Sequence, residues 1–470
     1  MPAQHLNALS LILPNTRFIT DKSDMAVFCI DQRARFQADA WAVLQPSTVS
    51  DVQALMRYCF HENIPVTPQG GNTGLCGGAT PHARLGGKGF IVSLSRLNAL
   101  RELNLADNAI TVEAGMVLAQ VQAIAQKAER FFPLSLASEG SCQIGGNIAC
   151  NAGGLNVVRY GTMRDLVLGL ETVLPSGELV SHLQPLHKNT TGYAWQQQIT
   201  GSEGTLGIIT AATLKLFAPP RSVLTAWAGI DNIQAALSLL AAVKNYFAER
   251  LSSFEIISND ALQLSAGYSR LNPPVSAVWH VLMEISDSLP CVSNHQEQLF
   301  EVLSDADCFN AVIAQSEQER QNLWKLRENI SAAQRNLGAS IKHDISLPIA
   351  AVADFIAECQ PIIQQAYPHA NIVVFGHLGD GSLHYNVFLP EVLGNDVYRF
   401  EEHINILVYE CVLKHSGSIA AEHGIGQIKN HWLPRVRTAE EIAWMRSQKH
   451  FFDPNNIMNP GKLLPSETDV

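Results

Sequence analysis

The sequence predicts an α+β chain of two domains, on three observations. Its 470 residues, 47% of them hydrophobic, exceed what one core ordinarily holds. Short β-type runs and glycine-rich loops dominate the first half. At Ala218-Pro219-Pro220-Arg221 the pattern changes to longer helical stretches, and a Pro-Pro pair is a natural linker. The division expected is 1–218 for the first domain, 219–420 for the second, and 421–470 for a C-terminal segment that packs back on the first.

The elements follow from periodicity and punctuation. Ser50-Asp51-Val52-Gln53 has a capping-box pattern. Val52, Leu55, Met56 and Cys59 then recur at helical spacing up to about His61-Glu62-Asn63. Ile64 to Pro68 reads as a strand, as do Gly89–Leu94, Ile110–Glu113, Leu166–Leu174 and the β-branched Ile208–Phe217. Past the linker, helices are expected over Asn232–Arg250, Asn294–Ser304, Glu317–Leu337 and Ala350–Ala366. Strands are expected at Ala277–Ile285 and across Ile372–Leu389. The tail from Phe452 to Lys462 reads as loop.

Bulk chemistry excludes several classes. A net charge of −11 argues against non-specific nucleic-acid binding. No apolar run approaches the ~18–20 residues of a membrane span, and the N-terminus lacks the marks of a signal or transit peptide. A cytoplasmic protein is expected. The nine cysteines include no Cys-x-x-Cys, so neither an iron–sulfur cluster nor a disulfide framework is suggested.

Three segments concentrate glycine beside Asn, Ser and Thr: Pro68 to Gly78, Glu139 to Gly154, and Gly201 to Ile209. Such loops can turn successive backbone N–H groups toward one anion. None matches the Rossmann or Walker A spacing. A single loop of this kind is ordinarily just a turn, but three make a dinucleotide cradle the better reading. These segments resemble the flavin-binding domain of the vanillyl-alcohol oxidase family, in which FAD lies extended between two α+β subdomains. The resemblance implies that Pro68, Gly70, Gly71, Asn72, Thr73, Gly74, Gly77 and Gly78 wrap the pyrophosphate. It implies that Ser141, Gly145, Gly146 and Asn151 lie near the flavin, Ile209 near the adenine, and Asn459 in a tail used beside the flavin. Some members attach FAD through a histidine in the first loop. Thr73 stands there, so non-covalent FAD is expected.

Phe375-Gly376-His377-Leu378-Gly379-Asp380-Gly381-Ser382-Leu383-His384-Tyr385-Asn386 reads as a hairpin. Asp-Gly is a type I′ signal, and a two-residue turn would set His377 directly opposite His384. One lone strand histidine is ordinarily a hydrogen-bonded structural side chain. Two on one face can share a divalent ion, usually with a carboxylate. Together with Glu422-His423-Gly424-Ile425-Gly426, the hairpin resembles the D-2-hydroxyglutarate and D-lactate dehydrogenase branch of the flavin family. The resemblance implies that His377, His384 and Glu422 hold the ion, zinc or else manganese, and that His423 is the catalytic base.

Taken alone, Arg327 and Lys342 would be surface cations. Within the resemblance both clamp the substrate carboxylate, a role that suits the planar guanidinium. Ser331, four residues after Arg327 on the expected helix, and Asn386 match substrate-contacting positions. The implied reaction is oxidation of a D-2-hydroxy acid, D-2-hydroxyglutarate foremost, to the 2-oxo acid, with hydride passing to the flavin. D-lactate, D-malate and glycolate are the alternatives. So are the flavin subunit of a glycolate dehydrogenase complex and a non-catalytic flavin module. The electron acceptor, a quinone, an electron-transfer flavoprotein or another carrier, is not encoded in any motif. Family habit implies a homodimer.

Overall fold

The computed structural model describes residues 2–290, 294–306 and 310–466. Cys291 and Cys308, expected to be reduced thiols, lie outside them. The other cysteines are free. Among the described residues no helix is long and apolar enough to cross a membrane. The chain forms two compact units. One comprises Met1–Gly153, Gly161–Pro219 and Glu422–Val470, and the other comprises Gly154–Tyr160 and Pro220–Ala421.

The first unit carries two sheets. In one, β1 (Thr16–Ile19), β2 (Ala42–Pro46), β3 (Val66–Gln69) and β4 (Phe90–Ser93) lie in the order β1-β2-β4-β3. The last three are parallel, so β2 needs a crossover to reach β3. The helix Val49–Glu62 supplies it, burying Val52, Leu55, Met56 and Cys59 as one stripe and ending in left-handed Asn63. The cap lies two residues earlier than expected: Thr48, not Ser50, accepts the Asp51 amide. Asp51 itself faces inward and accepts hydrogen bonds from Asn15 N and Thr16 Oγ1.

The second sheet of this unit is antiparallel. It runs β5-β6-β9-β7-β8 through β5 (Leu100–Asn104), β6 (Ala109–Glu113), β7 (Val167–Val173), β8 (Leu179–His182) and β9 (Ile208–Lys215). The tail closes the exposed edge of β3. Val66 N–H donates to Ile457 C=O, and Asn459 N–H donates to Val66 C=O. That pairing satisfies backbone groups an edge strand would leave open.

The second unit is built on one antiparallel sheet, ordered β13-β10-β12-β11-β15-β16-β14. Its strands are β10 (Ser222–Ile230), β11 (Leu251–Ser258), β12 (Trp279–Asp287), β13 (Ala311–Ile313), β14 (Ile341–Ser346), β15 (Asn371–Gly376) and β16 (Ser382–Phe388). Side chains alternate between its faces. Trp227, Leu282, Ile257, Val373 and Phe375 point to one side, where Leu323, Trp324, Leu326 and Ile330 cover them. On the other side Tyr385 packs on Phe355, and His343 on Tyr409.

Two expectations are corrected here. The helix expected over Glu317–Leu337 stops at Glu328, with Asn329 as cap, and restarts as the short helix Ile330–Ala333. Arg327 and Ser331 therefore do not share a helical face: Arg327 is buried and Ser331 exposed. The hairpin register also differs. Phe375, not His377, is the partner of His384. The two-residue turn gives way to a longer loop in which His377 C=O accepts the amides of Asp380, Gly381 and Ser382. Gly381 permits it, with φ +85° and a position where a Cβ would lie 2.1 Å from Leu347 O.

Candidate active site

In the first unit the three glycine loops meet. Gly71 packs so closely on the second loop that a Cβ there would lie 2.1 Å from Ser141 O. A Cβ on Gly70 would come 3.7 Å from Gly146 Cα, and one on Gly204 would come 2.6 Å from Pro68 Cγ. Asn459, buried in the left-handed region, donates to Gly78 O and Glu203 O at 2.9 Å each, knitting the tail to the first and third loops. Gly145 N–H donates to Ala114 O, and Asn151 Oδ1 accepts Arg164 N–H at 2.9 Å. Ile209 is buried in β9.

The first loop carries a run of backbone donors. Among the described residues the amides of Gly70, Gly71, Asn72, Thr73 and Gly74 have no hydrogen-bond acceptor. A folded loop with a run of unpaired amides is chemically an anion seat. Gly74 and Gly146 border open space, with nothing within 4 Å of an added Cβ. Gln143 Oε1 and Asn459 Oδ1 are buried without a partner. These groups fit a dinucleotide with a pyrophosphate.

Glu422 and His423 also belong to the first unit. They sit in an irregular segment anchored by Glu203, whose carboxylate oxygens accept Ile425 N–H at 2.8 Å and Gly426 N–H at 2.7 Å. Burial raises the pKa of Glu203, against the lowering effect of these amides and of Lys429 and Lys462.

In the second unit, register and alternation bring the remaining site residues to one face of the sheet. Asp344 pairs with His384 and Lys342 with Asn386 across β14 and β16. Phe375 pairs with His384 and Val373 with Asn386 across β15 and β16. His377 follows β15. The His377 and His384 rings are 6.3 Å apart, edge to face, with ligating atoms within 4.8 Å. Two bonds of ~2.0–2.1 Å to one ion call for such proximity. The Asn386 amide donates to Gln334 Oε1 at 2.8 Å.

Arg327 comes down on this face from the helix above it. Its guanidinium carbon lies 4.9 Å over the Phe375 ring, and Nε donates to Glu255 Oε2 at 2.8 Å. Among the described residues no acceptor is recorded for its two terminal amino groups. The other oxygen of Glu255 meets His377 Nδ1 at 2.7 Å. Glu255 has no exposed surface. Burial pushes its pKa up, but the charges and hydrogen bonds of His377 and Arg327 outweigh that and hold it below the ordinary value.

Residues 40–182 match the family model of an FAD binding domain, and residues 219–463 that of FAD linked oxidases, C-terminal domain. The chain belongs to the FAD-linked oxidases. Like them it is an FAD-dependent oxidoreductase. A D-2-hydroxyglutarate dehydrogenase of Xanthomonas citri pv. viticola is 36% identical over 465 residues, covering 97% of this chain and 96% of the relative. One from Stutzerimonas stutzeri is 34% identical over 463 residues, covering 98% of each. The fold is that of the vanillyl-alcohol oxidase type: p-cresol methylhydroxylase with substrate bound aligns at a TM-score of 0.76 with 15% identity, over 98% of this chain and 96% of that one.

Three side chains of this FAD-linked oxidase escaped the sequence reading: Glu255, Glu203 and Gln334. A signal existed for the first. Leu251-Ser252-Ser253-Phe254-Glu255-Ile256-Ile257-Ser258 sets a lone carboxylate in an apolar strand, and such a charge is almost never buried unless paired. Its partners lie 72 and 122 residues away, so no local pattern names them.

Proposed function

We propose that this FAD-linked oxidase is a divalent-metal-assisted dehydrogenase that oxidises a D-2-hydroxy acid, D-2-hydroxyglutarate first among them, to the 2-oxo acid. The observation that carries the reading is Arg327: a buried guanidinium with its fork available, beside His377, His384, Asn386 and Lys342 on one sheet face. Such a surface suits a small carboxylate next to an ion. Relatives named for D-2-hydroxyglutarate, similar over nearly the full length of both chains, support the substrate.

The roles follow from the chemistry of each group. The Arg327 fork takes the substrate carboxylate by paired hydrogen bonds, and Lys342 adds a second cation. Asn386 and Ser331 offer an amide and a hydroxyl to the polar substrate, Ser331 from an exposed position. His377, held through Nδ1 by Glu255, would hold the ion through Nε2, with His384 and Glu422 as the other ligands of this reading. The ion would lower the pKa of the 2-hydroxyl. His423 accepts the hydroxyl proton as general base. FAD, when bound, would supply the redox chemistry as acceptor of the α-hydrogen with its electron pair.

Residues 1–218 and 421–470 serve FAD in this reading, and 219–420 the substrate. Thr73 forms no bond to flavin, so FAD is non-covalent. Electrons leave to a quinone or flavoprotein acceptor, and the enzyme works in the cytoplasm as a homodimer. The test is anaerobic mixing of the holoprotein with D-2-hydroxyglutarate, D-lactate, D-malate and glycolate, with and without chelator, while the flavin absorbance is followed. Rapid bleaching by one D-acid, stopped by chelator, supports reaction and metal together. A fully loaded flavoprotein that none of them bleaches, even with zinc or manganese added, rules the substrate class out.

A further inference from the structure

We infer that Glu255 is a positioning residue for this reaction, a single carboxylate that sets the substrate-binding guanidinium and a metal-ligating imidazole at the same time. The inference rests on the roles proposed for Arg327 and His377. Glu255 Oε2 receives Arg327 Nε at 2.8 Å, and Oε1 receives His377 Nδ1 at 2.7 Å. Its cross-strand partner is Leu282, whose own partner in the next strand is Trp227, so on that side the row is apolar. A charge taken wholly out of water there is poorly explained by stability, because apolar replacements of buried ion pairs are often neutral or stabilising.

The way each partner is held points to function. Arginine ordinarily grips a carboxylate with two parallel N–H bonds. Here Glu255 uses only Nε, and the guanidinium carbon lies 4.9 Å from the centre of the Phe375 ring, a cation–π contact that adds a second restraint. Both terminal amino groups are thereby left available to a second carboxylate. At His377 the carboxylate accepts a hydrogen bond from Nδ1–H, which selects the tautomer whose Nε2 lone pair is left for an ion. One rigid side chain thus sets the distance between the carboxylate clamp and the ligating nitrogen. That distance selects substrates in which the carboxylate and the ion-binding oxygen are on neighbouring carbons, as in a 2-hydroxy acid.

The experiment compares Glu255→Gln, Glu255→Asp, Arg327→Ala, His377→Ala and the double variant Glu255→Gln/Arg327→Ala, all as holoproteins. It reads FAD content, zinc affinity by competition with a chromogenic chelator, and KM and kcat for the hydroxy acid. Glu255→Gln should retain FAD, bind zinc about 10–100-fold more weakly and raise KM about tenfold or more. The double variant should have a KM no worse than Arg327→Ala alone, because Glu255 acts on KM through that arginine. Glu255→Asp should recover part of both losses, and it is the variant read if the glutamine form does not fold. Native zinc affinity and KM in Glu255→Gln, alongside losses in Arg327→Ala and His377→Ala, would overturn the positioning role and leave the proposed function standing. Arg327→Ala and His377→Ala with native KM and zinc affinity would overturn both, because Glu255 would then have nothing to position.

Discussion

Arg327 is tied at Nε and lies over the Phe375 ring, so its replacement by lysine should be far from conservative. Lysine keeps the charge but offers neither the planar fork nor the Nε bond. We expect Arg327→Lys to lose about 100-fold in kcat/KM, mostly through KM, in steady-state assays with an artificial acceptor. That corresponds to about 2.7 kcal/mol of transition-state stabilisation. His384→Ala should abolish turnover while the protein still purifies yellow with a full complement of FAD; near-native kcat would remove His384 from the metal set. The histidines, Arg327 and Lys342 were visible in the sequence because their types are rare in apolar strands or matched a family pattern. Glu255 was not, since its meaning depends on two distant partners, His377 brought to it by the pairing of β11 with β15 and Arg327 by the helix Glu317–Glu328 packed on the sheet.

Among the elements, the hairpin of β15 and β16 shows how a sequence reading can reach the correct face by an incorrect register. The Asp-Gly signal predicts a two-residue turn, whereas the loop is held by three amides on His377 C=O. The pairing is displaced by two residues. A shift of two preserves the side-chain face, where a shift of one would have reversed it, so His377 and His384 still meet. The break at Asn329 was hidden for a related reason: Leu323, Leu326, Ile330 and Ala333 keep an apolar stripe across it. The glycine loops allow a paired test. In Gly71→Ala the added methyl meets Ser141 O, so both the apoprotein's melting temperature and its FAD affinity should fall. In Gly146→Ala the methyl meets nothing in the protein. Its apoprotein should melt as the native one does, while FAD binds at least about tenfold more weakly if the flavin approaches there, the scale of a forced steric shift. Unchanged FAD affinity in Gly146→Ala would place the flavin elsewhere.

Across the whole molecule, the excursion of Gly154–Tyr160 into the second unit had no sequence signal, because the four-residue helix Val157–Tyr160 is too short for periodicity. The strands were best read where β-branched runs are fully buried, as in β9, and least where a strand such as β11 mixes serine with apolar residues. Stability of the molecule should also depend on pH through Lys462, which donates to Thr80 O at 2.6 Å and is almost wholly buried. Burial pushes its pKa down to about 7, partly opposed by Glu203. Between that value and the ~10.4 of a free lysine, the unfolded chain holds a proton the folded chain does not, so stability rises with pH. Below about pH 7 both states are protonated and the contribution is level. Lys462→Met should remove this slope, no more than about 1.4 kcal/mol per pH unit. Thermal unfolding of both proteins from pH 6 to 10 would show their midpoints diverging above pH 7 in favour of the native chain; parallel curves would show that Lys462 stays charged.

The strip of tail laid along β3 has a consequence in time as well as in space. Met458 is translated roughly 390 residues after Val66, which at ~5–20 residues per second is an interval of about 20–80 s. Through that interval the nascent chain carries a β3 edge whose permanent cover does not yet exist. An open edge is a template for another strand, so holding by chaperones while the ribosome finishes would favour the native pairing over association between nascent chains. A chain terminated before Ile457 would never close that edge and should accumulate as aggregate, even though the sheet of its second unit would be complete.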